Sequence, residues 1–196
     1  MAWTFYNSSG EAMIIDGGLA NVVEDTTPQL GANLDMNDFG LAFPATQSAD
    51  AGANVLDDYE EGTWTPTLQD DSRSDSESQA YSEQVGSYTK IGRLVNILCR
   101  ITVTSLGTLT TSEGAVIGGL PFTAANPGGH LFWGMAPGTA GGLAITSGTS
   151  IGGSVRDNTA VIGLHLWDAT TGTSGLLVSE VSADGQMHLS GSYEAA

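Results

Sequence analysis

Four carboxylates, Asp57, Asp58, Glu60 and Glu61, stand just ahead of Trp64 in the stretch LDDYEEGTWTPTL, residues 56–68. Glycoside hydrolysis needs two carboxyl groups held about 5 to 10 Å apart across a sugar cleft. An acid-rich chain supplies such pairs by chance, and no further residue type marks these as acid and nucleophile. The plainer alternative is a solvated doorstep to a strand, where like charges repel into water at little cost. The run DDSRSDSES (70–78) spaces oxygen ligands as a calcium loop does, but it lacks the glycine at position six and the glutamate at position twelve. His130, His165 and His188 are far apart in sequence; His165 and His188 fall in strand candidates that could approach each other, yet no local spacing supports a metal. Cys99 is the lone cysteine, so no internal disulfide is possible. Within a strand pattern it reads as a small buried apolar residue rather than a nucleophile.

P-loop, dinucleotide fingerprint, H-E-x-x-H and C-x-x-C are all missing from the sequence. The expectation is therefore a protein that is not an enzyme, with no catalytic residue, no cofactor and no metal. Binding is the chemistry left to consider, and the tryptophans carry it. Trp3, Trp64, Trp133 and Trp167 are by default core or subunit-contact residues. An exposed one would stack against a sugar ring. Trp133 and Trp167, with His165 beside the latter in GLHLWD, are the candidate ligand-binding residues. Trp64 is expected to anchor a strand.

The elements that must position these side chains are strands. The 196 residues fit one domain, or one domain with an extended arm. Glycine supplies 27 residues without a three-residue period, and Thr and Ser are abundant while Lys and Glu are scarce; this is poor helix material and good strand-and-turn material. The densest signal is GSYTKIGRLVNILCRITVTS (86–105), two strands around the turn KIGR. In the second strand Val95, Ile97, Cys99, Ile101 and Val103 alternate with Asn96, Leu98, Arg100, Thr102 and Thr104, a period of two with one apolar face. Tyr88 in the first strand is a further anchor. WTFY and EAMII around NSSG predict two short strands within residues 1–16. GTWTPTL reads as a strand with an end or edge at Pro66. GAVIGGLPF (114–122), HLFWGM (130–135), LAIT (143–146), AVIGLHLWD (160–168), LLVSEV (176–181) and QMHLSGSY (186–193) are further strand candidates, and residues 69–84 a polar loop. Together they predict an all-β, antiparallel β-sandwich of jelly-roll type over residues 56–196.

Residues 17–55 offer only brief apolar touches between Gly, Asn, Asp, Pro and Ala. No core can be built from them alone, so residues 1–55 are expected to form an extended Gly/Asn-rich arm that gains burial from other chains. The formal net charge is −17, with 22 acids against 5 bases and a single lysine. Ten acids lie between Asp50 and Glu83 with Arg73 the sole cation among them. Clustered cations are what phosphate and anionic lipid require, so no nucleic-acid partner and no membrane insertion is expected. The start MAWTFYNSSG lacks a basic region and a long apolar run, and is not expected to be a secretory signal.

The blocks NVLDDYEEGTWTPTL, GSYTKIGRLVNI and GGLPFTAAN, in this order, resemble tail-fibre and other virion structural proteins of tailed bacteriophages. VVEDTTPQLGANLDMNDFGL and MAWTFYNSSG resemble segments that precede them in such fibres; together the blocks cover most of residues 1–126. The resemblance implies a homotrimeric, β-rich appendage of the virion, assembled in the host cytoplasm. Its arm would hold sister chains or other virion proteins, and its outer domain would bind a host surface glycan or protein. The chain has hardly any shaft, so a capsid decoration, head fibre or collar or tail adaptor is the alternative, with a polysaccharide depolymerase behind it.

Overall fold

The computed structural model describes residues 3–6, 12–15, 56, 58–72, 77–128, 132–169 and 172–196. It divides into two compact units, Met1–Ala42 and Phe43–Ala196. The segment 17–55, expected to be an arm, lies outside the described residues. In the first unit β1 (Trp3–Tyr6) pairs antiparallel with β2 (Ala12–Ile15), Trp3 opposite Ile15, as the WTFY and EAMII runs predict.

The second unit is one antiparallel sheet of ten strands: β3 (Tyr59–Trp64), β4 (Thr67–Gln69), β5 (Ala80–Ile91), β6 (Leu94–Ser105), β7 (Val116–Gly118), β8 (Phe132–Gly141), β9 (Ser150–Arg156), β10 (Ile162–Ala169), β11 (Gly172–Gly175) and β12 (Gln186–Glu194). The ladder runs β3-β5-β6-β12-β8-β9-β10-β7-β4, with β11 on β10. The prediction of an all-β antiparallel fold therefore holds, in the form of one continuous hydrogen-bonded path.

That path curls. Strands β3 and β4 are successive pieces of chain, separated by Thr65 and Pro66, yet they stand at opposite ends of the ladder. GTWTPTL is thus two strands rather than one, because Pro66 has no N–H to continue a ladder. Side chains stitch the seam where backbone pairing stops. The Leu68 N–H donates to the Tyr81 hydroxyl (2.9 Å), Gln79 Nε2 to the Leu68 carbonyl (2.9 Å), and Gln84 Nε2 to the Pro66 carbonyl (2.8 Å). Gly119 closes the corner: a Cβ there would lie 2.3 Å from the Thr65 carbonyl, and its φ of +86° is one that only glycine adopts without strain.

The period-two run delivers its apolar face inward. Val95, Ile97, Cys99, Ile101 and Val103 are all buried, and burial raises the Cys99 thiol to about 11. Each fully buried aliphatic side chain of this kind contributes about 1.5–3 kcal/mol. The KIGR turn links β5 to β6 through a ladder from Ile91–Leu94 to Ala80–Ser105. Two of the sequence blocks meet here. Gly62-Thr63-Trp64 runs antiparallel to Gly86-Ser87-Tyr88, so each glycine faces an aromatic: Gly62 opposite Tyr88 and Trp64 opposite Gly86. A Cβ at Gly62 or Gly86 would sit 2.6 Å from the facing ring. The rings lie flat over the glycines, and the Trp64 indole donates to the Ser87 carbonyl at 3.3 Å.

Three sequence expectations are corrected. Residues 143–146 form no strand. Residues 176–181 form a bridge at Leu177 and the one-turn helix α1 (Val178–Val181), whose Val178 and Val181 plug the core. Residues 80–84 of the expected loop belong to β5.

Candidate functional site

Strand β10 alternates strictly. Ile162, Leu164 and Leu166 are buried, so Gly163, His165 and Trp167 face outward. On the neighbouring β9 their partners are Ser154, Gly152 and Ser150. Gly134 of β8 lies opposite Ser154, and Gly175 of β11 opposite His165. The outer face of β8–β9–β10–β11 is therefore paved with glycine and serine, and two rings rise from it.

Trp167 is 64% exposed, although tryptophan normally buries most of its surface. Its Nε1 lies 3.5 Å from where a Cβ of Gly152 would be, so the indole leans across β9 instead of standing clear. The His165 ring leans likewise over Gly163, and its Nε2 pairs with the Ser154 hydroxyl at 2.7 Å. Partial burial holds the His165 pKa below the ordinary histidine value, so the imidazole is neutral at pH 7. Asp168 is fixed by the Ser174 hydroxyl, 2.9 Å from both carboxylate oxygens. Past the Met135–Gly153 pair β8 and β9 part, leaving an open cleft of about 570 Å3 lined by Pro137, Thr139, Leu143, Ile145 and Ile151. A flat indole beside the Ser150 and Ser154 hydroxyls and a neutral imidazole can stack a ring and hydrogen-bond its rim.

Of the expected ligand residues, the fold brings Trp167 and His165 to this face. Trp133 does not join them. It pairs with the buried Val155 on β9, shares that residue's side of the sheet, and is half-buried against the core. A one-residue difference in strand parity separates the two outcomes. Among the strand anchors, Trp64 is buried and Tyr88 half-buried.

The acidic stretch also departs from expectation. Asp57 lies outside the described residues. Glu60 and Glu61 are inside β3 rather than ahead of it. Asp58 makes an ion pair with Lys90, and both side chains are about nine-tenths covered. Tyr88 donates to Glu60, which holds the phenol up at about 12. Phe122 completes the cluster: the Lys90 ammonium is 5.5 Å from its ring centre, and Tyr88 meets it edge-on at 5.3 Å. Burying the single lysine requires a counter-charge, which is why Asp58 is held here instead of in bulk water. His188, paired with Gln186 at 3.2 Å, is separated from His165 by β8 and β9; His130 lies outside the described residues. Among the described residues no three His, Cys, Asp or Glu gather to hold a metal.

Ser150 and Ser154 escaped the sequence reasoning. Alternating G-x-S in GGSV and G-x-H-x-W in GLHLW is the signal that could have found the face, since both repeat small or ring residues at period two.

No family model and no curated protein matches this chain. Among solved structures, the crystal structure of the Dettilon tailspike protein (gp208) matches with a TM-score of 0.55 and 16% identity, over 70% of this chain. The matched part is 24% of that tailspike chain, so this protein spans about a quarter of its length. At that identity the likeness is one of fold.

Proposed function

We propose that this protein is a structural virion component of a tailed bacteriophage: a short trimeric fibre or spike that attaches the particle to its host. The observation that carries this is the fold likeness to a phage tailspike over 70% of the chain. The resemblance of its sequence blocks to phage fibre proteins supports the same conclusion. The curled sheet is the outward, sandwich-like head, and residues 1–55 are the arm that holds sister chains and other virion proteins. Attachment is by binding, without chemistry of its own. The exposed Trp167 and its neutral partner His165 contact a host surface glycan or protein. Three weak sites per spike, and many spikes per particle, supply strength through avidity.

The test is a reconstruction of the whole particle together with a host-binding assay on the isolated protein. The expected outcome is three copies per appendage on the tail and saturable binding to host cells. Position on the capsid with no cell binding would replace this reading with that of a decoration or adaptor protein.

A further inference from the structure

The wall opposite the Trp167 face is unusual for a solvated sheet. Of eight large apolar side chains exposed among the described residues, five share the outer face of β3–β5–β6–β12: Tyr59, Val85, Ile91, Leu94 and Leu98. Tyr59, Ile91 and Leu94 stand side by side in register, and Leu98 lies between Ser87 and Ser190 two rows on. Between these rows runs a shallow furrow of about 770 Å3, lined by Glu61, Thr63, Ser87, Asn96, Leu98 and Ser190. Clustered apolar side chains of this extent mark an interaction surface.

Charge narrows the occupant. The chain carries a formal −17, so copies repel one another wherever acids are unpaired. On this wall the acids have partners. Glu83 pairs with Arg100, Glu194 with Arg93 at 3.6 Å, and Glu61 accepts from Tyr59. The wall thus holds two of the chain's five cations and is close to neutral. It is a surface on which a second acidic copy can sit. The point of chain arrival agrees. Residues 17–55 end at Leu56, which is 63% exposed and three residues from Tyr59 at the corner of this wall.

We infer that copies of this chain associate through the outer face of β3–β5–β6–β12, with Leu98 and the Tyr59–Ile91–Leu94 row buried between protomers. The inference rests on the proposal of several copies per appendage, and names the surface they use. In a three-fold ring each copy offers two different patches. Here the β3–β5 flank, with Tyr59, Val85 and Ile91, meets the β6–β12 flank of the next copy. Arg100 and Arg93 then stand where a neighbour's Glu83 and Glu194 can replace their own.

The experiment is light scattering after size exclusion on the full-length protein and on Leu98→Glu, Ile91→Glu and the control Leu177→Glu, with circular dichroism of each. Expected are an assembly of three times the 20.1 kDa chain mass for the wild type and the control, and monomers with an unchanged β spectrum for the two face variants. The milder Leu98→Ser should keep the fold and raise the dissociation midpoint at least tenfold on dilution. A wild type that is monomeric at every concentration overturns the multi-copy proposal itself. Face variants, Leu98→Ser included, that assemble as the wild type does overturn this surface while leaving the assembly standing.

Discussion

On the β3–β5–β6–β12 wall the glycines lie under cover. Gly62, Gly86 and Gly191 face the core, and a Cβ on any of them would strike Tyr88, Trp64 or Met135 at 2.5–2.6 Å. On the β8–β9–β10–β11 wall Gly134 and Gly175 have open space at their Cβ positions, and Gly152 and Gly163 come no nearer than 3.5 Å to the leaning edges of Trp167 and His165. The residue type is the same and its consequence is opposite. Inside, the missing side chain makes room for a ring that fills the core. Outside, it leaves a floor above which a ring stays accessible. The first wall turns its spare apolar groups outward as a broad, charge-balanced surface suited to another protein copy; the second presents two rings on a bare floor, suited to a small flat ligand.

The largest effect should come from placing a side chain where the covered glycines are. Gly86→Val should cost about 1–3 kcal/mol by overpacking against Trp64, whereas Gly134→Ser should stay within about 0.5 kcal/mol. Urea unfolding of both variants checks this, and equal costs would erase the contrast between the walls. Next, Trp167→Ala should weaken host-cell binding by about two- to tenfold per site, the range of one aromatic stacking contact, with the unfolding midpoint unchanged. Loss of stability in place of binding would make Trp167 a structural residue.

Tyr193 tests the covered side more gently. It is fully buried, donates to the Phe122 carbonyl at 2.9 Å, and burial raises it to about 12. Tyr193→Phe should cost about 1 kcal/mol. Because the folded pKa lies above the unfolded value of about 10, the wild type should lose stability as pH rises from about 10 to about 12, and the variant should lose less. The smallest effect concerns His165. Its folded pKa is depressed, so its contribution is complete above the unfolded value of about 6.5 and fades as pH falls below it. His165→Gln should flatten that acid limb of the stability profile, measured by thermal unfolding between pH 7 and pH 5.

Much of the first wall was legible in sequence. The run from Val95 to Val103 buries the face its alternation predicts, and the KIGR turn sits where expected. The reciprocal pairs Gly62–Tyr88 and Trp64–Gly86 give the G-T-W and G-S-Y blocks a physical meaning that either block alone lacks. The second wall was harder. Strand β9 is SIGGSVR, too rich in glycine and serine to carry an apolar–polar alternation, and β11 is only GTSG. Both form because β10 offers them a ladder, which is a property of the neighbour and not of their own residues.

What the sequence determined by itself is the strand grammar, which runs are extended and where Gly and Pro end them, and a charge balance of one lysine and four arginines against 22 acids. These follow from local propensity and composition. The tertiary structure decided the rest. Closure put β3 and β4 at opposite ends of one ladder despite the two residues between them. It drew Asp58 out of water to Lys90, and it turned Trp133 toward the core and Trp167 away from it. Each is a matter of pairing between distant segments, where a register change of one residue would move every side chain to the other face.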